Sequence, residues 1–129
     1  MTAETLRFAK KNLGSPDVTR PCGNGQLEFV TLEDTTLTRV TLPPGWKWSE
    51  CIRPVANTES CQTHHLQYVI RGRLRILQDD GTQEDLGPGD FASIPPGHDA
   101  GVVGDEPFVC IDISPEMKQY AQDPGESRH

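Results

Sequence analysis

The feature that most constrains this chain is a succession of short stretches in which apolar and polar residues alternate. They read "LEFVTL", "TLTRVTL", "LQYVIRG", "RLRILQ", "DFASIP" and "FVCIDI". A period of two sends successive side chains to opposite faces, as in a half-buried strand. Between the stretches lie "PPG", "DDGT", "GPGD", "PPGHD" and "GDEP", groups that turn the chain, and eleven prolines and twelve glycines fit that reading. No helical pattern intervenes, so the strands predict an all-β sandwich or barrel. Asp80-Gly81, between "RLRIL" and "TQEDL", is a hairpin signal, because Gly adopts the positive φ of tight turns. Residues 3–12, "AETLRFAKKN", predict a short helical turn, and the polar tail "SPEMKQYAQDPGESRH" predicts one more before a frayed end.

At 129 residues the chain fits a single domain, 1–129, without internal repeats. Twelve Lys and Arg against nineteen Asp and Glu give a net charge of −7. That acidity argues against nucleic acid or an anionic membrane as partner, since both require basic patches. No apolar run approaches the roughly 20 residues that span a bilayer. The start "MTAETLRFAKKNLGS" lacks the apolar region of a secretory signal, so a cytoplasmic location is expected. There Cys22, Cys51, Cys61 and Cys110 stay reduced, and their spacings form no CxxC pair.

The stretch "RGRLRIL...GPGDFASIPPGHDAGVVGDEP" resembles the cupin superfamily, in which the second motif reads Gly, five residues, Pro, any, Gly, two residues, His. Gly89, Pro95 and Gly97 fall in register, and Gly72 matches the glycine that closes the first motif. The resemblance covers roughly residues 37–113. It implies a double-stranded β-helix (jelly-roll) cupin barrel with short N- and C-terminal extensions. "PPGWKWSE", "C...H..YV..GR" and "PPGHDA.VVGDEP" are more narrowly similar to small bacterial single-domain cupins. The family's usual ligand set of three His and one Glu is displaced. His65 stands at the Glu position, Ala100 at the last His position, and the His-x-His pair falls on Glu59 and Cys61, or on Thr58 and Ser60.

Strand parity puts His65, Gln67 and Val69 on one face, and His64, Leu66, Tyr68 and Ile70 on the other. His65 occupies the family's inward position, Cys61 shares its parity, and His98 shares that of position 100. Cys61, His65 and His98 would offer one thiolate and two imidazoles, a set suited to a divalent metal such as zinc, iron or copper. Glu59 or Cys51 is a candidate fourth ligand. Each residue has a plainer role open to it. Cys61 can be a buried core thiol, as Cys110 is expected to be. His65 can hydrogen-bond Gln67 or a ligand, and His98 can tie down its own turn through Asp99 or a carbonyl. His64 is expected at the rim, and His129 is set aside as part of a polar tail.

Trp46 and Trp48 share a face if "PPGWKWSE" is extended. They pack one barrel end or a dimer contact, or else wall a ligand pocket with Gln67, Tyr68 and Phe91. Arg53, Arg71, Arg73 and Arg75 could anchor a carboxylate, although Arg73 and Arg75 are expected to face solvent opposite the acidic hairpin strand. The expected function is small-molecule binding with a divalent metal in the lumen. The alternative is a metal-dependent cupin enzyme of oxygenase, isomerase or lyase type, acting on a small organic acid or phenolic substrate. A homodimer is expected, because jelly-roll barrels leave strand edges to be covered.

Overall fold

In a computed structural model that describes residues 6–122, the alternating stretches become strands. They are β1 (Val18–Cys22), β2 (Gly25–Leu32), β3 (Thr35–Leu42), β4 (His65–Arg71), β5 (Arg73–Gln78), β6 (Gln83–Leu86), β7 (Phe91–Ile94), β8 (His98–Val103) and β9 (Phe108–Asp112). Two short helices, α1 (Trp48–Cys51) and α2 (Arg53–Ala56), separate β3 from β4, and a 3-10 helix spans Pro115–Ala121. Every named pairing is antiparallel. One sheet runs β1-β2-β3-β9-β4-β7 and the other β6-β5-β8. This is the all-β jelly roll that the motif glycines implied.

Alternation decides what faces inward. Val40 and Leu42 on β3, Leu74 and Ile76 on β5, and Phe108 and Cys110 on β9 turn into the space between the sheets, while Arg73 and Arg75 turn out. Phe29 and Phe108 are the largest fully buried side chains. Each contributes on the order of 2–3 kcal/mol through the apolar surface it removes from water.

Three expectations need correction. Residues 6–12 are not helical, and 3–5 lie outside the described residues. An exposed segment this short gains too few hydrogen bonds to offset helix nucleation. Trp46 and Trp48 do not share a strand face. Here the chain pairs with β8 through isolated bridges, Lys47 to Gly101 and Cys61 to His98, and coils into α1 and α2 between them. Finally, "PPGHDA" does not end in a turn: Pro95-Pro96-Gly97 makes the turn, and His98 already opens β8.

The two glycines tied to turns behave differently. Gly72 alone links β4 in one sheet to β5 in the other, at φ +79, and a Cβ there would lie 2.3 Å from the carbonyl oxygen of Pro107. Gly81, at the β5–β6 hairpin tip, has φ +93 and open space around it. Gly81→Ala is therefore expected to cost about 1–2 kcal/mol, the strain of a side chain at positive φ. Gly72→Ala adds a backbone collision and should cost about 3 kcal/mol or more. Denaturant titration of the two variants checks this, and equal losses would contradict the account of the corner.

Candidate metal centre

Three side chains from separate parts of the sequence converge between the sheets. Cys61, His65 and His98 each offer one donor atom, and these atoms all lie within 4.8 Å of one another. Backbone pairing brings them together. The Cys61 N–H donates to the His98 carbonyl at 2.7 Å, and the Gly97 N–H donates to the Cys61 carbonyl at 2.7 Å. His65 opens β4, where it pairs with Ile94 at the end of β7, just before the turn that leads to His98.

Each imidazole is oriented by its second nitrogen. His98 Nδ1 donates to the Pro95 carbonyl at 2.7 Å, which leaves Nε2 as its acceptor. His65 Nδ1 donates to Asp112 Oδ2 at 2.8 Å, and His65 Nε2 lies 3.7 Å from Cys61 Sγ. The two rings meet edge to face, 5.2 Å between centroids. Ala100, at the family's histidine position, is one inward step beyond His98 on the same strand, so His98 places an imidazole where position 100 carries only a methyl.

Asp112 is fully buried, and sequence reasoning missed it. Besides His65 it accepts from the backbone N–H groups of Leu66 and Ser114 and from Gln67 Nε2, at 3.2, 3.0 and 3.2 Å. A signal was there to read. In "FVCIDI" Asp112 has the inward parity of Phe108 and Cys110, and an acid in a core position must have partners.

The electrostatics follow from this contact set. Burial by itself would push the Cys61 thiol up, but hydrogen bonds to His65 and His98 bring it down to about 6. Burial would push His65 down, but the hydrogen bonds to Asp112 and Cys61 hold it up at about 9. Between those values the pair is a thiolate beside an imidazolium. Burial pushes Cys22 up to about 12 and raises Cys110 well above the ordinary thiol value. All four cysteines are free.

These donors fit a metal ion. A sulfur and a nitrogen sharing a tetrahedral zinc sit about 3.6 Å apart, close to the Cys61–His65 separation of 3.7 Å. The hydrogen bonds on the far nitrogens are the usual supports of metal-bound histidines. Neither suggested fourth ligand joins the group. Glu59 is exposed and reaches Arg53 at 3.7 Å, and Cys51 lies 3.7 Å from Asn24 Oδ1.

The three donors line a cavity of about 1390 Å³ that Trp46, Trp48 and Gln67 also line. Tyr68 and Phe91, expected in the pocket wall, stand on the outer face, 47% and 62% exposed. They pair across β4 and β7 with the parity opposite to His65 and Gln67. None of the four arginines suggested as carboxylate anchors lines the cavity. Arg53, Arg71 and Arg75 pair with Glu59, Glu106 and Asp85, and Arg73 is exposed. His64 points away and meets Ser93 Oγ at 3.0 Å, while His129 lies outside the described residues. Thr63 and Tyr120, which the sequence did not single out, line the cavity with hydroxyls in hydrogen-bond contact.

A family model of the cupin domain matches residues 38–114. No curated protein matches the sequence. Several solved structures share the fold. A cupin 2 conserved barrel domain protein from Salinispora arenicola is 13% identical with a TM-score of 0.56, the alignment covering 90% of this chain and 96% of that one. A protein of unknown function from Rhizobium leguminosarum is 19% identical at 0.58, covering 84% and 98%. A protein from Silicibacter pomeroyi, described as a sugar phosphate isomerase from a cupin superfamily, is 21% identical at 0.57, covering 81% and 74%.

In metal-free protein, thiolate absorbance should grow in as pH rises through about 6, the value that the two imidazoles set for Cys61. Cys61→Ser should abolish that step. His65→Phe should move it toward the ordinary thiol value of 9.0, because the largest lowering contact is lost. Ultraviolet pH titration of the three proteins checks this.

Proposed function

The chain belongs to the cupin domain family, and on that premise we propose that it is a single-domain barrel binding a small molecule over a divalent metal held by Cys61, His65 and His98. The observation that carries this reading is the convergence of those donors, within 4.8 Å of one another, at the wall of a large cavity. One thiolate and two imidazoles suit zinc, iron or copper. Such an ion, when bound, supplies a Lewis acid that can polarise a ligand oxygen. The protein's own part is to aim the donors: Asp112 and the Pro95 carbonyl fix both rings.

A second reading, a metal-dependent oxygenase, isomerase or lyase acting on a small organic acid or phenolic molecule, draws support from His65. Its imidazole links buried Asp112 to the cavity and could hold or move a proton at Nε2. Both readings put the protein in the cytoplasm, where its cysteines stay reduced; among the described residues no helix is long and apolar enough to cross a membrane.

Equilibrium titration of chelator-treated protein with zinc tests the metal. His65→Ala should abolish stoichiometric binding, and His64→Ala should leave it within about twofold. Zinc replaces the proton of the Cys61–His65 pair. Binding should therefore release one proton and weaken about tenfold per pH unit as pH falls from about 9 to about 6, and weaken more steeply below about pH 6, where the Cys61 thiol must also lose its proton. A zinc affinity that is unchanged in His65→Ala would end the proposal.

The same reading includes a homodimer. Tyr68, Ile70, Phe91 and Ile113 are exposed large apolar side chains carried by or following β4, β7 and β9, and β7 is a sheet edge. An apolar sheet face ending in an unpaired strand favours association. Light scattering of the wild type at tens of micromolar should give twice the chain mass, and Phe91→Glu should give the monomer.

A further inference from the structure

The cavity wall carries a chemical selectivity of its own. Among the described residues that line it there is no Asp, Glu or Lys, and Arg20 is the one cation besides the two histidines. Arg20 is already engaged. Its Nε, Nη1 and Nη2 donate to the carbonyls of Gln122, Thr19 and Ala121, at 3.2, 3.2 and 3.1 Å. With that guanidinium held by carbonyls, and His65 already held between Asp112 and the Cys61 thiolate, a phosphate or carboxylate on a ligand would leave water without an unengaged cation to receive it. Much of the remaining wall is apolar: Leu27, Val40, Trp46, Trp48, Leu74 and Ile94.

Uncharged polar side chains interrupt that wall, Gln67 among them, and one pair, Thr63 and Tyr120, is joined through its hydroxyls. Thr63 lies midway between Cys61 and His65 with the same parity, is buried, and meets the hydroxyl of Tyr120. Tyr120 comes from the 3-10 helix, outside the residues that match the family, so the cupin motifs do not account for it. Two joined hydroxyls have one hydrogen and spare lone pairs beyond their mutual bond, enough to meet one ligand oxygen.

We propose that the cavity takes an uncharged, mainly apolar molecule bearing a hydroxyl or carbonyl oxygen, and that Tyr120, tethered by Thr63, is the residue that recognises that oxygen. This rests on the cavity being the ligand site, as the proposed function has it, but not on the metal. It separates this chain from a sugar phosphate enzyme despite the shared fold.

The two tryptophans of the chain both line the cavity, so intrinsic fluorescence reports occupancy. The probes are naphthalene, naphthol and naphthyl phosphate, which share one ring system, titrated with and without added zinc. Naphthol should bind tightest and naphthyl phosphate at least tenfold more weakly. Tyr120→Phe should weaken naphthol about fivefold to tenfold, the worth of one neutral hydrogen bond, and leave naphthalene binding unchanged. Thr63→Val is the second variant and should reduce the naphthol preference in the same direction. Tightest binding of naphthyl phosphate would overturn the ligand class while the cavity reading stood. Equal losses for naphthol and naphthalene in Tyr120→Phe would overturn the role of Tyr120. Absence of binding by all three probes would overturn this inference together with the small-molecule reading, whatever the zinc titration gave.

Discussion

A carboxylate inside a β-sheet fold must be surrounded by donors or it will not stay there, and Asp112 meets that condition in a way that organises its surroundings. It accepts from two backbone N–H groups, the Gln67 amide and the His65 ring, all at 3.2 Å or less. Charge-assisted bonds of this kind offset the cost of taking the group out of water. They also tie the end of β9 to the start of β4 and fix the exit of the chain. Ser114, held by Asp112 through its N–H, then caps the 3-10 helix by accepting from the Glu116 N–H. Tyr120 reaches the cavity because that helix begins where it does.

The donor group inherits its order from the same contacts. His65 is turned by Asp112, His98 by the Pro95 carbonyl, and Cys61 by backbone bonds to His98 and Gly97. Both rings are held through their second nitrogens and the Cys61 backbone through its pairing with β8, so the ligand or metal has less ordering left to impose. The thiolate and imidazolium, which close contact with each other and with Asp112 and His98 maintains against burial, are properties of the assembled site. Neither residue would behave so alone.

Charge is sorted between inside and outside. The chain carries −7 overall, and ion pairs such as Arg75–Asp85, Arg71–Glu106 and Arg39–Glu28 lie outside the cavity. Exposed pairs of this type add little stability, each on the order of 0–1 kcal/mol. Such pairing leaves the cavity with few ionic groups, so it presents largely apolar surface around the two imidazoles, the Cys61 thiol and the hydroxyls of Thr63 and Tyr120.

The sequence by itself determined the strands whose alternation is strong, the hairpin at Asp80-Gly81, and the choice of His65 over His64 for the interior. All of these rest on local rules: a period of two, and the freedom of glycine at positive φ. Parity also held for the outward Arg73 and Arg75, and for Tyr68, which stands on the face opposite His65 and so outside the pocket. Only the tertiary structure decided the rest. That "PPGWKWSE" coils into α1 instead of continuing as a strand depends on how few bonds β8 offers it. That Asp112 answers His65 across 47 positions of sequence, and that Tyr120 meets Thr63 across 57, are matters of which strands lie side by side. Pairing between distant strands is set by the packing of both sheets at once, and a periodicity read along one strand carries no information about its neighbour.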